Sequence, residues 1–193
     1  KAQFLGRDIK LGGDELLGRR ASAEVEYEGG NLHLEVKAEV EAGDNIVTKE
    51  AYLTGNIPLD LSLTSVEQRW PTDKDIELVL GSQDISLAIL KMIGEEVEST
   101  RGSGSLLINI GGVPGDLSVN GELSISEGEV KLTVLDKPII ISGGLATISL
   151  SSIVIDELKG KLGAGDFQIQ GYIGLNGLMF TDVDLKFIAT DIE

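Results

Sequence analysis

Cysteine is absent from the 193-residue chain, and histidine and tryptophan occur once each. The first absence excludes disulfides, thiolate metal sites and thiol redox chemistry, while leaving the compartment open. The lone histidine, His33, alternates onto the polar side of a strand-like run. It has no second His or any Cys with which to hold a transition metal, and no G-x-S-x-G partner for serine hydrolysis. Basic residues are scarce: 16 Lys and Arg stand against 32 Asp and Glu, a formal net charge of −16. Neutralising nucleic-acid phosphates takes Lys and Arg, so the balance argues against DNA, RNA and direct adsorption to an anionic membrane. Aromatic residues are 4% of the chain and hydrophobic residues 41%, so the apolar content is chiefly aliphatic. That bias suits a greasy wall better than a specific pocket. No apolar run reaches the length of a membrane-crossing helix, and neither an initiator Met nor a signal peptide is present. The chain begins and ends in the rhythm of a strand and reads as a piece excised from something longer.

Catalytic and phosphate-binding signatures are missing as well. Gly160-Lys161 is followed by Leu162 rather than Ser or Thr, so there is no P-loop. The acidic groups Glu24, Glu26 and Glu28, and Glu95, Glu96 and Glu98, read as solvated faces, with no calcium-loop pattern. The expectation is a protein that is not an enzyme and that uses no cofactor and no metal.

What the chain has is alternation. Ala21, Ala23, Val25 and Tyr27 alternate with polar residues, turn at Gly29-Gly30, and resume as Leu32, Leu34, Val36, Ala38 and Val40. A period of two with one apolar and one polar side is the mark of a strand with one dry and one wet face. The same rhythm runs through Ile57–Leu63, Ile76–Leu80, Leu106–Ile110, Leu117–Ile125, Val130–Val134, Ile148–Leu150, Ile153–Ile155, Phe167–Ile173 and Val183–Ala189. Asn176-Gly177 reads as the last hairpin turn. Val66–Asp75 and Ser99–Gly104 read as loops. Recurrent glycines open several runs, among them Gly104, Gly121, Gly128 and Gly144, which suits a long sheet that bends.

One stretch breaks the rhythm. Ile85, Ile89, Met92, Ile93 and Val97 fall at helical spacing, predicting one short helix near 85–94 with Asp84 as N-cap and Gly94 as its stop. The fold class expected is all-β: a long, curled, amphipathic sheet with that single helix, forming one β-rich unit over 1–193.

From about residue 51 to 175 the chain resembles the TamB family, the translocation and assembly module proteins of bacterial envelopes, with AsmA-like bridge proteins and chloroplast inner-envelope relatives. The resemblance is carried by Leu53-Thr54-Gly55-Asn56-Ile57-Pro58-Leu59-Asp60-Leu61, by Asp84-Ile85-Ser86-Leu87-Ala88-Ile89-Leu90 and by Gly102-Ser103-Gly104-Ser105-Leu106. It continues through Gly112-Val113-Pro114-Gly115-Asp116-Leu117-Ser118-Val119-Asn120-Gly121-Glu122-Leu123 and Gly163-Ala164-Gly165-Asp166-Phe167-Gln168-Ile169-Gln170-Gly171. The order of these elements is more specific than any one of them. Pro114 stands a few residues earlier in its turn than the family's usual proline, which leaves the strand register there open.

The resemblance implies a taco-shaped sheet folded lengthwise around an apolar interior, within a parent protein anchored in the inner membrane. It places the segment in the periplasm, or in the chloroplast intermembrane space, with an outer-membrane barrel partner of TamA type reached through the parent. Its implied work is carrying phospholipid, assisting outer-membrane β-barrel assembly or protein translocation, or both. Lipid acyl chains or unfolded β-strands would occupy the groove. The wall expected from alternation comprises Leu106, Ile108, Leu117, Val119, Leu123, Ile125, Val130, Leu132, Ile148, Leu150, Phe167, Ile169, Leu185 and Phe187. The competing expectation is a structural or adhesive β-sandwich module whose apolar residues face a second sheet in a solid core.

Overall fold

A computed structural model describes residues 1–10, 16–42, 45–62, 69–71, 73–92, 96–177 and 179–190. Eleven strands form one open antiparallel sheet in which each strand pairs with its neighbours in sequence. They are β1 (Ala2–Lys10), β2 (Leu16–Glu28), β3 (Asn31–Ala42), β4 (Asn45–Pro58), β5 (Ile76–Ser86), β6 (Val97–Val113), β7 (Asp116–Leu132), β8 (Ile139–Ser149), β9 (Ser152–Leu162), β10 (Gly165–Asn176) and β11 (Met179–Thr190). A 3-10 helix, Leu87–Met92, stands between β5 and β6. Among the described residues no second sheet faces the first. The Gly29-Gly30 hairpin forms as expected, with Glu28 paired to Asn31.

Register converts alternation into rows. Phe4, Ala23, Val36, Leu53, Leu80, Ile108, Gly121, Ile148, Ile153, Ile173 and Val183 are partners in succession across every strand. A second row joins Ala21, Ala38, Ala51, Ser82, Leu106, Leu123, Ala146, Ile155, Gly171 and Leu185. A third joins Ile85, Gly104, Ile125, Gly144, Leu158, Ile169 and Phe187. Side chains alternate between faces, so these rows lie on one side of the sheet. Between them run the register shifts. Ser82/Ile85 in β5 and Ile155/Leu158 in β9 each hold one residue more than the neighbouring strand, and Ile125/Gly128 in β7 and Ile141/Gly144 in β8 do so a row further on. Each insertion is a bulge, which bends its strand and raises local twist.

The true core is small. Leu87, Val130 and Ile141 are buried together, and Leu90, Val97, Ile125, Leu132, Ile139 and Leu158 pack around them. The helix makes this core by laying Leu87 and Ala88 onto the apolar face.

Several expectations are corrected. The helix is shorter than 85–94 and of 3-10 type, because Ile85 and Ser86 are held in β5 by pairing with Gly104 and Ser103. Asp84 is therefore a strand residue, and Ser86 Oγ accepts from the Ala88 amide at the helix start instead, at 3.1 Å. Ile93 and Gly94 lie outside the described residues, as do Val66 and Leu63. Ser99–Gly104 is not a loop but part of β6, since Thr100 pairs with Val130 and Gly102 with Gly128. Gly102, at φ 103° and against the Glu127 carbonyl, is a glycine the ladder itself requires. The strand expected over Ile57–Leu63 ends at Pro58, where Leu59 N turns to donate to Gly30 O at 3.0 Å. Val134 sits beyond the end of β7, 73% exposed.

Candidate functional site

The three rows make one apolar face. On it, register places Leu106 and Ile108 of β6, Leu117, Val119, Leu123, Ile125, Val130 and Leu132 of β7, and Ile148 of β8. Phe167 and Ile169 of β10 and Leu185 and Phe187 of β11 join them. Leu150 does not: β8 ends at Ser149, and Leu150 projects from the bend after it. Val130 and Phe167 are buried, whereas Phe187 is 57% exposed and Leu185 43%. The face thus grades from a covered patch under the helix to an open margin at β11. In its middle lies an apolar recess of about 110 Å³, bordered by Leu123, Ile125, Gly144, Ala146, Ile155 and Leu158.

Glycines on this face seat large neighbours. A Cβ at Gly121 would stand 2.9 Å from Ile108 Cγ1, one at Gly144 would stand 2.8 Å from Leu158 Cδ1, and one at Gly160 would stand 2.7 Å from the Phe167 ring. Phe167 in turn stacks on Phe187 with ring centroids 6.0 Å apart. Neighbouring strands alternate small and large side chains, so the face stays filled without a second layer.

Two features escaped the sequence reading. Thr100 Oγ1 is buried on this face, opposite Val130, with no hydrogen-bond partner. Nothing in the alternation distinguishes a Thr on the dry side from one on the wet side when the whole segment resembles a loop. The second feature is on the reverse face, expected to be wet. It carries Glu122, Glu129 and Asp184 as expected, but also Leu107, Leu145, Val154, Tyr172 and Ile188, each about two-fifths exposed. The acids dominate that face without covering it.

The ionisable groups with shifted pKa values lie at the surface. His33 Nδ1 lies 3.0 Å from Asn56 Oδ1 on the reverse face. Glu24 is held below the usual carboxylate range by a hydrogen bond from Lys1 and a second from Gln3. Asp60, beyond β4, is lowered by the Ser62 backbone amide, which donates to Oδ1 at 2.8 Å, and by the Ser62 hydroxyl. Among the described residues, no group of three or more His, Cys, Asp or Glu side chains is placed to hold a metal ion.

An open, single-layer antiparallel meander with one apolar face is the class that fold and site define. Compared with protein-family models, curated proteins and solved structures, the chain matches none.

Proposed function

We propose that this chain is a non-catalytic segment of a TamB-like, envelope-spanning protein, and that its apolar face carries lipid acyl chains between inner and outer membranes. The observation that carries the reading is the apolar row from Phe4 to Val183, which crosses all eleven strands with no second sheet opposite among the described residues. At ~4.8 Å per strand, that row advances about 48 Å. A two-layered module would bury such a face against a partner sheet, so the solid sandwich is the weaker reading. Large exposed apolar faces mark interaction sites in soluble proteins. The bulges between the rows support a sheet curled lengthwise around this face.

The mechanism needs no particular residue. An acyl chain against Ile, Leu and Val gains roughly 25 cal/mol for each Å² removed from water, without direction, so it slides along the rows. An unfolded, alternating β-strand could lie on the same rows, which keeps barrel-protein assembly as the second use. The setting is the periplasm or chloroplast intermembrane space, with a membrane anchor and an outer-membrane barrel partner supplied through the parent.

The test is native mass spectrometry of gently purified protein, followed by photo-crosslinking with a phospholipid bearing a diazirine on its acyl chain. Expected are retained lipid and crosslinks at Ile108, Ile148 and Ile153. Absence of retained lipid together with crosslinks scattered over both faces would overturn the reading.

A further inference from the structure

The dipeptide Asn-Gly occurs twice, at Asn120-Gly121 and at Asn176-Gly177. It is the least hindered setting for attack of a backbone nitrogen on the preceding side-chain amide, because glycine has no Cβ and lets backbone approach closely. Both asparagines are exposed. Access to water and the residue that follows therefore do not tell them apart; the sheet does.

Asn120 stands within β7, opposite Asn109 of β6 on one side and Ser149 of β8 on the other. Gly121 is likewise paired on both sides, with Ile108 and Ile148. Asn176 is the last residue of β10. Pairing with β9 reaches only Gly174, opposite Ser152, followed by a bond from Leu175 N to Ser151 O at 2.7 Å. Asn176 is held through Met179 alone, across its own hairpin. Gly177 stands in the turn itself, at φ 64°.

The reaction needs the chain to move. In a strand, ψ turns the following nitrogen away from the asparagine side chain, so ring closure requires the asparagine to leave the strand conformation. At Asn176 this breaks the terminal pair of one hairpin. At Asn120 it breaks the ladder to β6 and to β8 together. Opening free energies run from near zero at loops and frayed ends up to the whole unfolding free energy in central strands.

We propose that Asn176 is a site of spontaneous deamidation, and that the sheet protects Asn120 although it carries the same dipeptide. The Gly177 nitrogen attacks Asn176 Cγ. A C–N bond forms, the Cγ–Nδ2 bond breaks, and ammonia leaves with the proton given up by the Gly177 nitrogen. Water then opens the cyclic imide at either carbonyl. One opening gives aspartate; the other gives isoaspartate, whose main chain runs through Cβ and Cγ and is longer by a carbon. The added atom falls where Asn176 faces Met179, so that pair loses its register. The loss lies beside Ile173 and Val183, which carry the first apolar row onto β11. The contrast between the two sites is independent of what the face carries.

The experiment is peptide mapping by mass spectrometry of the whole chain, incubated at mildly alkaline pH, folded and in urea. In the folded chain Asn176 is expected to convert at least about ten-fold faster than Asn120, chiefly to isoaspartate. In urea the two rates are expected to converge, since the dipeptide is the same. Equal rates in the folded chain, a faster Asn120, or no reaction at either site overturns the proposal. A difference that persists in urea also overturns it, because local sequence and not the sheet would then set the rates. The converted chain is expected to exchange amide hydrogens faster over residues 175–183 and unchanged in β6 to β8. Asn176→Asp adds the charge without lengthening the main chain and is expected to exchange like the native protein. Equal loosening in that variant would overturn the assignment of the damage to the longer main chain.

Discussion

Leu87 of the 3-10 helix sits directly over Gly128 of β7, so closely that a Cβ on Gly128 would overlap Leu87 Cδ1. This seat fixes the covered patch beneath the helix: Leu87 is 5% exposed and packs with Val130 and Ile141. Gly128→Ala is expected to lift the helix and cost about 1–3 kcal/mol, as overpacking does. Leu87→Ala is expected to cost about 2–4 kcal/mol through the cavity it leaves. Because the new methyl occupies part of that cavity, the double variant should lose at least ~0.5 kcal/mol less than the two single losses together. Urea unfolding of the four proteins measures this. Strict additivity would show that the helix does not rest on Gly128.

Thr100 yields the opposite sign. Its hydroxyl is buried without a partner, and a buried unsatisfied polar group costs about 1–3 kcal/mol. Thr100→Val keeps the shape and removes the hydroxyl. It is expected to raise stability by about 1 kcal/mol in urea, with an unchanged slope. A loss of stability would mean that the hydroxyl is satisfied in solution.

The bulges were legible in the sequence but easily overlooked. Ile153 and Ile155 are followed at three residues by Leu158; Leu123 and Ile125 by Gly128; Ile139 and Ile141 by Gly144. An apolar rhythm of two that jumps once to three and then resumes keeps the same face only if a residue is inserted there, and register places the insertions at these jumps. Alternation thus carried the sheet and the side on which almost every wall residue lies. It failed at Ser99–Gly104, where two glycines and short polar residues imitate a loop. Those residues form a strand because β7 supplies a partner through Val130, which no local pattern reveals. It failed again at the helix start, where long-range pairing of Ile85 with Gly104 outcompetes a helical spacing. Burial was the least legible property. Whether an apolar side chain meets another layer or solvent depends on what faces it, and among the described residues the helix Leu87–Met92 provides such cover over Val130 and Ile141.

Acid should act on the segment after β4. The Ser62 backbone amide, then its hydroxyl and Arg69, hold Asp60 below its ordinary value of 3.8. A carboxyl depressed in the folded state stabilises the fold above its unfolded value, and that contribution disappears as pH falls through the folded value. NMR titration of the Asp60 side chain is expected to show a midpoint below 3.8. Asp60→Asn should flatten the stability profile between that midpoint and the ordinary value, and remove at neutral pH the small contribution that the depressed carboxylate makes there. A midpoint at or above the ordinary value would show that the turn does not hold in solution.

The decisive comparison is between two aspartates placed on the same face. Val130 lies beneath the helix at 7% exposure, in contact with Leu87 and Ile141. Ile148 lies four rows away, beside Gly121, half-buried and outside that cluster. Ile125 and Leu132 are poorer probes, since both pack against the covered cluster and would report its stability. At Val130 a carboxylate has neither water nor a partner, and burying it should cost at least about 3 kcal/mol or unfold the chain. At Ile148 the new carboxylate can turn to solvent along an open face, so the cost should stay near 1–2 kcal/mol, mainly lost apolar contact at ~25 cal/mol per Å². Ile148→Asp should therefore fold, with the far-ultraviolet spectrum of the native sheet, yet lose the retained acyl chain by interrupting the row between Gly121 and Ile153. If Ile148→Asp unfolds as readily as Val130→Asp, the face is closed by a layer in solution and the conduit gives way to a solid core. If it folds and still holds lipid, acyl chains lie elsewhere than along this row.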